Sequence, residues 1–170
     1  HEGLACFENY NWIHALFNGI KYGYIDKRNE IVIKAKFNFA GNFRDGLASV
    51  RIGRNYGYIN TKGEIVIPCQ FKYAHGFREN LALVLIENRY GYINKRGEVV
   101  IEPQFEDARD FSDGMALIKQ GNQWGYINRK GEVVITPQFE KAYFFKNGRT
   151  TVYKGNRPVI IDKEGKVVDG

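Results

Sequence analysis

Apolar and polar residues alternate over short segments along the chain, and residues 47–80 show the pattern most clearly. An alternation of this kind is typical of half-buried β-strands. Three strands are predicted, at 47–52, 56–59 and 64–67, separated by turn sequences rich in Gly and Asn. Pro68 is expected to end the third strand, because proline has no N–H to donate to a sheet. The segment therefore predicts a three-stranded meander.

The connection from residue 70 to residue 80 has a different spacing. Phe71, Ala74 and Phe77 lie three positions apart, which suits one helical turn as well as an irregular loop. A three-stranded sheet cannot bury its apolar face alone. Neighbouring copies are therefore expected to stack, with the two phenylalanines of one copy packed against the next.

The whole pattern repeats at a period of 34 residues. An aromatic residue, a glycine, a tyrosine and an isoleucine stand together four times: Tyr22-Gly23-Tyr24-Ile25, Tyr56-Gly57-Tyr58-Ile59, Tyr90-Gly91-Tyr92-Ile93 and Trp124-Gly125-Tyr126-Ile127. Other landmarks keep this period: Phe37, Phe71, Phe105 and Phe139; Phe43, Phe77, Phe111 and Phe145; Ala40, Ala74, Ala108 and Ala142; and the turn residues Asn29, Gly63, Gly97, Gly131 and Gly165. The 170 residues are thus expected to form one array, with copies at about 13–46, 47–80, 81–114, 115–148 and 149–170 after an N-terminal cap at 1–12.

The repeated residues resemble the WG (Trp-Gly) repeat family of bacterial proteins. The clearest copy runs from Trp124-Gly125-Tyr126-Ile127-Asn128 through Gly131-Glu132 to Pro137-Gln138-Phe139. Four copies fit well, and the fifth fits in part, since it has Pro158-Val159-Ile160-Ile161 in place of the aromatic-glycine pair. The resemblance implies a repeat module within a larger multi-domain bacterial protein.

Two all-β architectures fit five stacked meanders. One is an open superhelical, solenoid-like array, and the other is a closed five-bladed small propeller. Propeller blades usually have four strands, and the atypical first and last copies suit the capped ends of an open array. We therefore predict the open form and keep the propeller as the alternative. Four strand glycines are expected to mark close backbone approach between units: Gly23, Gly57, Gly91 and Gly125.

Composition adds little to this picture. Aromatic residues make up 15% of the chain, which favours strands. The formal net charge of +6 allows contact with an acidic partner, a nucleic acid or an anionic surface. Cys6 and Cys69 have no metal-ligand spacing. No apolar run is long enough for a membrane span, and no signal peptide is visible, so the compartment stays open between cytoplasm and export.

Two sets of periodic side chains are candidate binding residues. The first is a possible aromatic stripe of Tyr24, Tyr58, Tyr92 and Tyr126, with Tyr22, Tyr56, Tyr90 and Trp124 two positions away. At the surface such a stripe could bind glycans, but a residue that defines a repeat usually packs between copies. The second set is the basic hairpin tips: Lys27, Arg28, Lys62, Lys95, Arg96, Arg129, Lys130 and Lys163. Such tips could follow a phosphate backbone, but an acid follows each of the first four, at Glu30, Glu64, Glu98 and Glu132.

No catalytic, cofactor or metal site is predicted. His1, His14 and His75 occupy different positions of the repeat, without a triad or ligand spacing. The acids sit at repeated positions, whereas a catalytic pair needs two unlike environments. The first copy is unusual in its apolar residues, Trp12 and Phe17, which predict either a cap or a docking face.

These observations favour a non-catalytic module that binds a protein partner or a fused domain of its own chain. Glycan or cell-surface polymer binding through the aromatic stripe is the alternative. Nucleic-acid binding through the basic tips is the third possibility, and the paired acids argue against it.

Overall fold

The computed structural model describes residues 3–9 and 19–168. Within these ranges the chain forms strands and no helix, and so nothing described there could cross a membrane as a helix. The strands are β1 (Ala5–Asn9), β2 (Lys21–Ile25), β3 (Ile31–Phe37), β4 (Phe39–Ala40), β5 (Leu47–Ile52), β6 (Asn55–Asn60), β7 (Ile65–Phe71), β8 (Tyr73–Ala74), β9 (Ala82–Ile86), β10 (Arg89–Ile93), β11 (Val99–Phe105), β12 (Asp107–Ala108), β13 (Met115–Gln120), β14 (Gln123–Asn128), β15 (Val133–Phe139), β16 (Lys141–Ala142), β17 (Arg149–Lys154) and β18 (Arg157–Asp162).

The strands form five antiparallel sheets in chain order. Sheet 1 contains β1–β3, sheet 2 contains β4–β7, sheet 3 contains β8–β11, sheet 4 contains β12–β15 and sheet 5 contains β16–β18. The three middle sheets thus carry a fourth, very short strand that the sequence did not predict. In sheet 2 this strand is β4, where Ala40 faces Val50 of β5. The connection at residues 70–80, for which the sequence allowed a helical turn or an irregular loop, therefore contains a short strand followed by a turn.

Successive sheets are joined by a bent strand. Only Lys72 separates the end of β7 from the start of β8, yet β7 pairs with β6 in sheet 2 and β8 pairs with β9 in sheet 3. The same bend joins β3 to β4, β11 to β12 and β15 to β16. Each bent strand therefore belongs to two sheets and fixes how one lies against the other.

The expectation that Pro68 ends the third strand was wrong, because β7 continues to Phe71. In the pairing with β6, Tyr58 faces Ile67, whereas Tyr56 faces Phe71, so β7 has extra residues opposite Gly57. This bulge leaves Pro68 outside the regular ladder, where its missing N–H costs no hydrogen bond.

The bulge also explains the strand glycines. A Cβ on Gly57 would lie 2.5 Å from the Ile67 carbonyl oxygen and 2.7 Å from the Cys69 nitrogen. Gly91 and Gly125 face the same positions of their own sheets, Ile101 with Pro103 and Ile135 with Pro137. The close backbone approach was predicted correctly, but it lies within each sheet and not between units as expected.

The predicted turn residues are confirmed. Asn29 and the glycines at its repeat positions all have positive φ, from 62° at Asn29 to 83° at Gly131. In sheet 2, the Gly63 N–H donates to the Asn60 carbonyl at 2.9 Å, and the Asn60 side chain accepts from the N–H of Lys62 and of Glu64. Glycine and asparagine adopt such a conformation at the least cost.

The array is open. Five sheets enclose four cores among the described residues, and each core lies between two neighbouring sheets. A closed ring would need a fifth core between sheets 1 and 5. The outer face of sheet 5 is also more polar than that of sheet 4, since Arg149 and Thr151 stand where sheet 4 places Met115 and Leu117 in a core, and Ile160 on this face is 40% exposed. A more polar outer face suits a terminal repeat.

Sheet 1 begins earlier than the expected copy boundary at residue 13. Its first strand is β1, where Cys6 faces Tyr24 as Ser49 faces Tyr58 in sheet 2. β1 ends at Asn9 and β2 begins at Lys21, whereas β5 ends at Ile52 and β6 begins at Asn55. The sequence separation of the first two strands thus differs from that in later copies, and the 34-residue period starts at β2.

Candidate functional site

The four repeat-defining tyrosines Tyr24, Tyr58, Tyr92 and Tyr126 are core residues, each at most 1% exposed. The Tyr92 ring lies 4.8 Å from the Phe111 ring, and its hydroxyl donates to the Arg109 carbonyl at 2.7 Å. The other three repeat both contacts with Phe43 and Gly41, Phe77 and His75, and Phe145 and Tyr143. Each tyrosine thus connects its sheet to the next one by a ring contact and a hydrogen bond.

Burial raises the pKa of all four phenols, that of Tyr126 to about 12. These rings stay neutral and enclosed, and so they cannot stack on a ligand. These four tyrosines do not form a surface stripe. They pack in the cores between sheets, as expected of residues that define a repeat. Glycan binding through the stripe therefore loses these four side chains.

The aromatic residues two positions earlier have a different environment. Tyr22, Tyr56, Tyr90 and Trp124 are half-buried. Tyr56, Tyr90 and Trp124 pack against the outside of a core and not inside it. Tyr90 and Trp124 line grooves at successive sheet junctions. These two grooves are the candidate functional site.

The first groove lies between sheets 3 and 4 and has a volume of about 520 Å³. The second lies between sheets 4 and 5 and has a volume of about 250 Å³. They are built from equivalent positions, 34 residues apart: His75 and Arg109, Leu83 and Leu117, Tyr90 and Trp124, Ala108 and Ala142, Arg109 and Tyr143. The repeat therefore places the same kind of groove at two consecutive junctions.

Arg109 lines both grooves. Its guanidinium lies 4.9 Å from the Trp124 ring centroid and forms an ion pair with Asp107. Lys119 approaches the same ring at 5.7 Å, and Arg51 lies at 5.7 Å from Tyr56 in sheet 2. These distances are within the range of cation–π attraction. Partly exposed rings with a cation beside them thus recur along one side of the array.

The sequence did not single out Arg109, although a signal was present. The equivalent positions hold Gly41, His75 and Tyr143, so this site varies strongly while its surroundings repeat. Tyr143 and Phe144 were missed for the same reason, and they are 54% and 49% exposed at the rim of the second groove.

His75 has a partner at each ring nitrogen. Its Nδ1 lies 2.7 Å from the Asp110 carboxylate, and its Nε2 lies 3.0 Å from the Tyr73 hydroxyl. Arg78 donates to the second oxygen of Asp110 at 3.2 Å. This cluster joins sheet 3 to sheet 4. The sequence did not reveal it because Asp110 belongs to the next copy, 35 residues after His75, and comes close only when the two sheets stack.

The basic tips lie in the exposed turns as predicted, but several of them are ion-paired. Arg28 contacts Asp26 and Glu30, and Arg96 contacts Glu98. Arg129 lies 3.0 Å from Glu79, and Lys163 lies 2.9 Å from Asp113, so both tips reach the acidic turn of the preceding sheet. Lys27, Lys62 and Lys130 are exposed, and Lys95 is half-buried.

Two expectations concern residues that the structure does not describe. Trp12 and Phe17, the predicted cap or docking residues, fall outside the described ranges, as do His1 and His14. Within those ranges, no group of three or more His, Cys, Asp or Glu side chains is arranged to hold a metal ion.

Stacked sheets built from one repeated unit define a tandem β-repeat protein. The chain belongs to the WG containing repeat family, whose model matches residues 22–56, 56–90, 90–124 and 124–157. Each matched segment takes two strands from one sheet and two from the next, as 56–90 takes β6, β7, β8 and β9. The family unit therefore corresponds to one core between sheets and not to one sheet.

Solved structures give only weak likenesses. A protein of unknown function from Bacteroides caccae has 18% identity over 88% of this chain and 68% of its own, with a TM-score of 0.39. A plant lectin with two metal-binding sites from Cicer arietinum has 12% identity over 75% and 86%, with a TM-score of 0.32. No curated protein gives a significant match.

Proposed function

We propose that this chain is a non-catalytic interaction module that binds an extended acidic segment of a protein partner in the two grooves. The observation that carries the proposal is the construction of both grooves from equivalent positions of the repeat, with Arg109 shared between them. An extended peptide can contact two such grooves in succession, which a compact small molecule cannot.

The charge of the grooves favours an acidic ligand. The first groove is lined by Lys72 and Arg109, and Asp107, the ion-pair partner of Arg109, is not among its lining residues. The second is lined by Arg109 and Lys141, with Glu140 as its one acid. Cations beside apolar floors and aromatic rings suit carboxylates that alternate with apolar side chains, and the net charge of +6 attracts such a segment from a distance.

A binding role fits the groove chemistry better than catalysis. His75 is the titratable side chain closest to an acid–base role, but both of its ring nitrogens already have partners. A general base needs a free nitrogen within reach of the substrate proton. His75 instead orders the junction between sheets 3 and 4.

The test uses a library of displayed random peptides selected on the protein. A Trp12→Phe background leaves Trp124 as the single tryptophan, so its fluorescence reports on the second groove. We expect acidic peptides with apolar residues to be selected and to change this fluorescence. Arg109→Glu should weaken their binding by about tenfold or more, the cost of reversing a contacting charge.

Arg54→Glu is the matched control, because it makes the same charge change in the exposed β5–β6 turn. Equal losses in the two variants would mean that overall charge, and not the groove, attracts the peptides. Parallel arms with neutral oligosaccharides and with single-stranded oligonucleotides address the other hypotheses. Binding of either one, with no peptide selected, would refute the proposal.

A further inference from the structure

One edge of the array carries a row of exposed aliphatic side chains. In every sheet the third long strand, or the segment that replaces it in sheet 5, begins with such residues, which are 41–62% exposed. We call them the aliphatic ribbon: Ile31, Val32, Ile65, Val66, Val99, Val100, Val133, Val134 and Val167. The buried isoleucines Ile33, Ile67, Ile101 and Ile135 follow directly in the chain. The ribbon is therefore not needed to fill a core.

From the turn contacts we infer that the members of the ribbon lie next to one another from sheet to sheet. The turn of each sheet rests on the buried isoleucine of the preceding one: a Cβ on Gly97 would lie 3.1 Å from the Ile67 side chain, and one on Gly131 would lie 3.0 Å from Ile101. Val66 precedes Ile67, and Val99 follows Gly97 by two positions. The turn contact thus brings neighbouring exposed pairs side by side, and it recurs at Gly63 and Gly165.

The area of the ribbon is large for a surface that only faces water. Nine Ile and Val residues about half exposed present on the order of 700 Å², more than the roughly 300–600 Å² of the largest apolar patch on a typical monomer. It is close to the ~800 Å² that each partner contributes to a stable interface.

Two features favour another copy of the same array as the occupant. The exposed pairs recur once per sheet, and a second copy presents apolar side chains at the same spacing. Several flanking turns contain an ion pair of their own: Arg28 with Glu30, Arg96 with Glu98 and Lys166 with Glu164. These ion pairs reduce the repulsion between two chains of net charge +6 that meet at this edge.

We propose that the aliphatic ribbon is a dimerisation surface, on which a second copy of the chain packs its own ribbon in the antiparallel direction. An antiparallel arrangement is the two-fold, self-complementary one that closes at two chains. The bulged edge strands disfavour continuous pairing of backbones across the interface, so the contact is made by side chains. This proposal is independent of the grooves.

The first experiment measures mass by sedimentation velocity from low micromolar to several hundred micromolar protein. The wild type should reach twice the chain mass of 19.6 kDa, and Val66→Lys with Val100→Lys should remain at the mass of one chain. Ile52→Lys with Ile160→Lys is the control, since these residues are 44% and 40% exposed outside the ribbon. Circular dichroism confirms that both double variants stay folded.

The second experiment tests the direction of packing in a background with Cys6 and Cys69 replaced by serine. Val100 belongs to the central sheet, so the two-fold axis places it near its own counterpart. Val100→Cys should therefore form an intermolecular disulfide under mild oxidation, and Val32→Cys, at one end of the ribbon, should not. The proposal would be overturned if the wild type stays monomeric or if the variant with Val66→Lys and Val100→Lys still dimerises. It would also be overturned if Val100→Cys and Val32→Cys cross-link equally.

Discussion

Each buried tyrosine holds two neighbouring sheets together by one ring contact and one hydrogen bond. The Tyr92 hydroxyl reaches the Arg109 carbonyl, which belongs to the following sheet. A buried carbonyl that loses its hydrogen-bond donor stays shielded from water without a partner, which destabilises the folded state. The phenol is therefore worth more to the array than the ring alone, which explains why tyrosine and not phenylalanine occupies this position in four copies.

We predict that Tyr92→Phe lowers the free energy of unfolding by about 1–2 kcal/mol, because the Arg109 carbonyl is left without its donor. Urea denaturation followed by circular dichroism measures the change. Tyr143→Phe is the control, since Tyr143 is 54% exposed and its change should stay within about 0.5 kcal/mol. A Tyr92→Phe variant as stable as this control would mean that the hydroxyl bond contributes nothing.

The bent strand is the element that sets the geometry of the whole array. Its bulge lies against a glycine of the neighbouring strand, so that backbone atoms from Ile67 and Cys69 occupy the space of a side chain at Gly57. No rearrangement of a flexible side chain can relieve this contact.

Gly57→Ala should consequently cost about 3 kcal/mol or more, at the upper end of the range for overpacking a core. Gly53→Ala provides the comparison: Gly53 has a φ of 63° but no atom within 4 Å of an added Cβ. Gly53→Ala should cost about 1–2 kcal/mol, because a residue with a side chain is strained in the left-handed conformation. The midpoints of urea unfolding compare the two, and a larger loss at Gly53 would contradict the proposed role of the bulge.

The sequence predicted the elements better than their connections. Gly63 and Asn29 identified the hairpin turn, because few other residues tolerate its positive φ. Pro68 misled the assignment, because a proline inside a strand is tolerated only at a sheet edge or a bulge, and both depend on how β6 lies opposite β7. The β1 strand was missed because its distance to β2 breaks the period.

The candidate site was less predictable than the fold. Tyr90 and Tyr92 share one strand and one alternation pattern, yet Tyr92 is enclosed and Tyr90 lines a groove. The difference arises from the next sheet, which covers the first ring and leaves the second at the rim. The position of that sheet depends on the bend, and no local pattern in the sequence encodes it.

At the scale of the molecule, four similar cores respond together to alkaline pH. Burial raises the pKa of Tyr24, Tyr58, Tyr92 and Tyr126 above the ordinary value near 10. Above that value the unfolded chain releases protons that the folded chain retains. The contribution of the neutral phenols is thus complete below about pH 10 and decreases as pH rises towards the folded pKa values.

We expect the free energy of unfolding to fall steeply between about pH 10 and 12, by up to ~1.4 kcal/mol per pH unit for each buried tyrosine. Urea titrations at several pH values measure the slope. Tyr58→Phe should reduce the slope by about a quarter, since three of the four tyrosines remain. An unchanged slope in that variant would show that other groups cause the alkaline loss.

The strands shared between sheets have a consequence for how such chains change in length. A deletion or duplication of one period whose ends fall within a bent strand leaves half of that strand on each side, and each half is completed by the equivalent half of another copy. Every gain or loss of 34 residues then adds or removes one core and leaves the others in register. Genetic recombination can therefore adjust the reach of the array without first creating new joints.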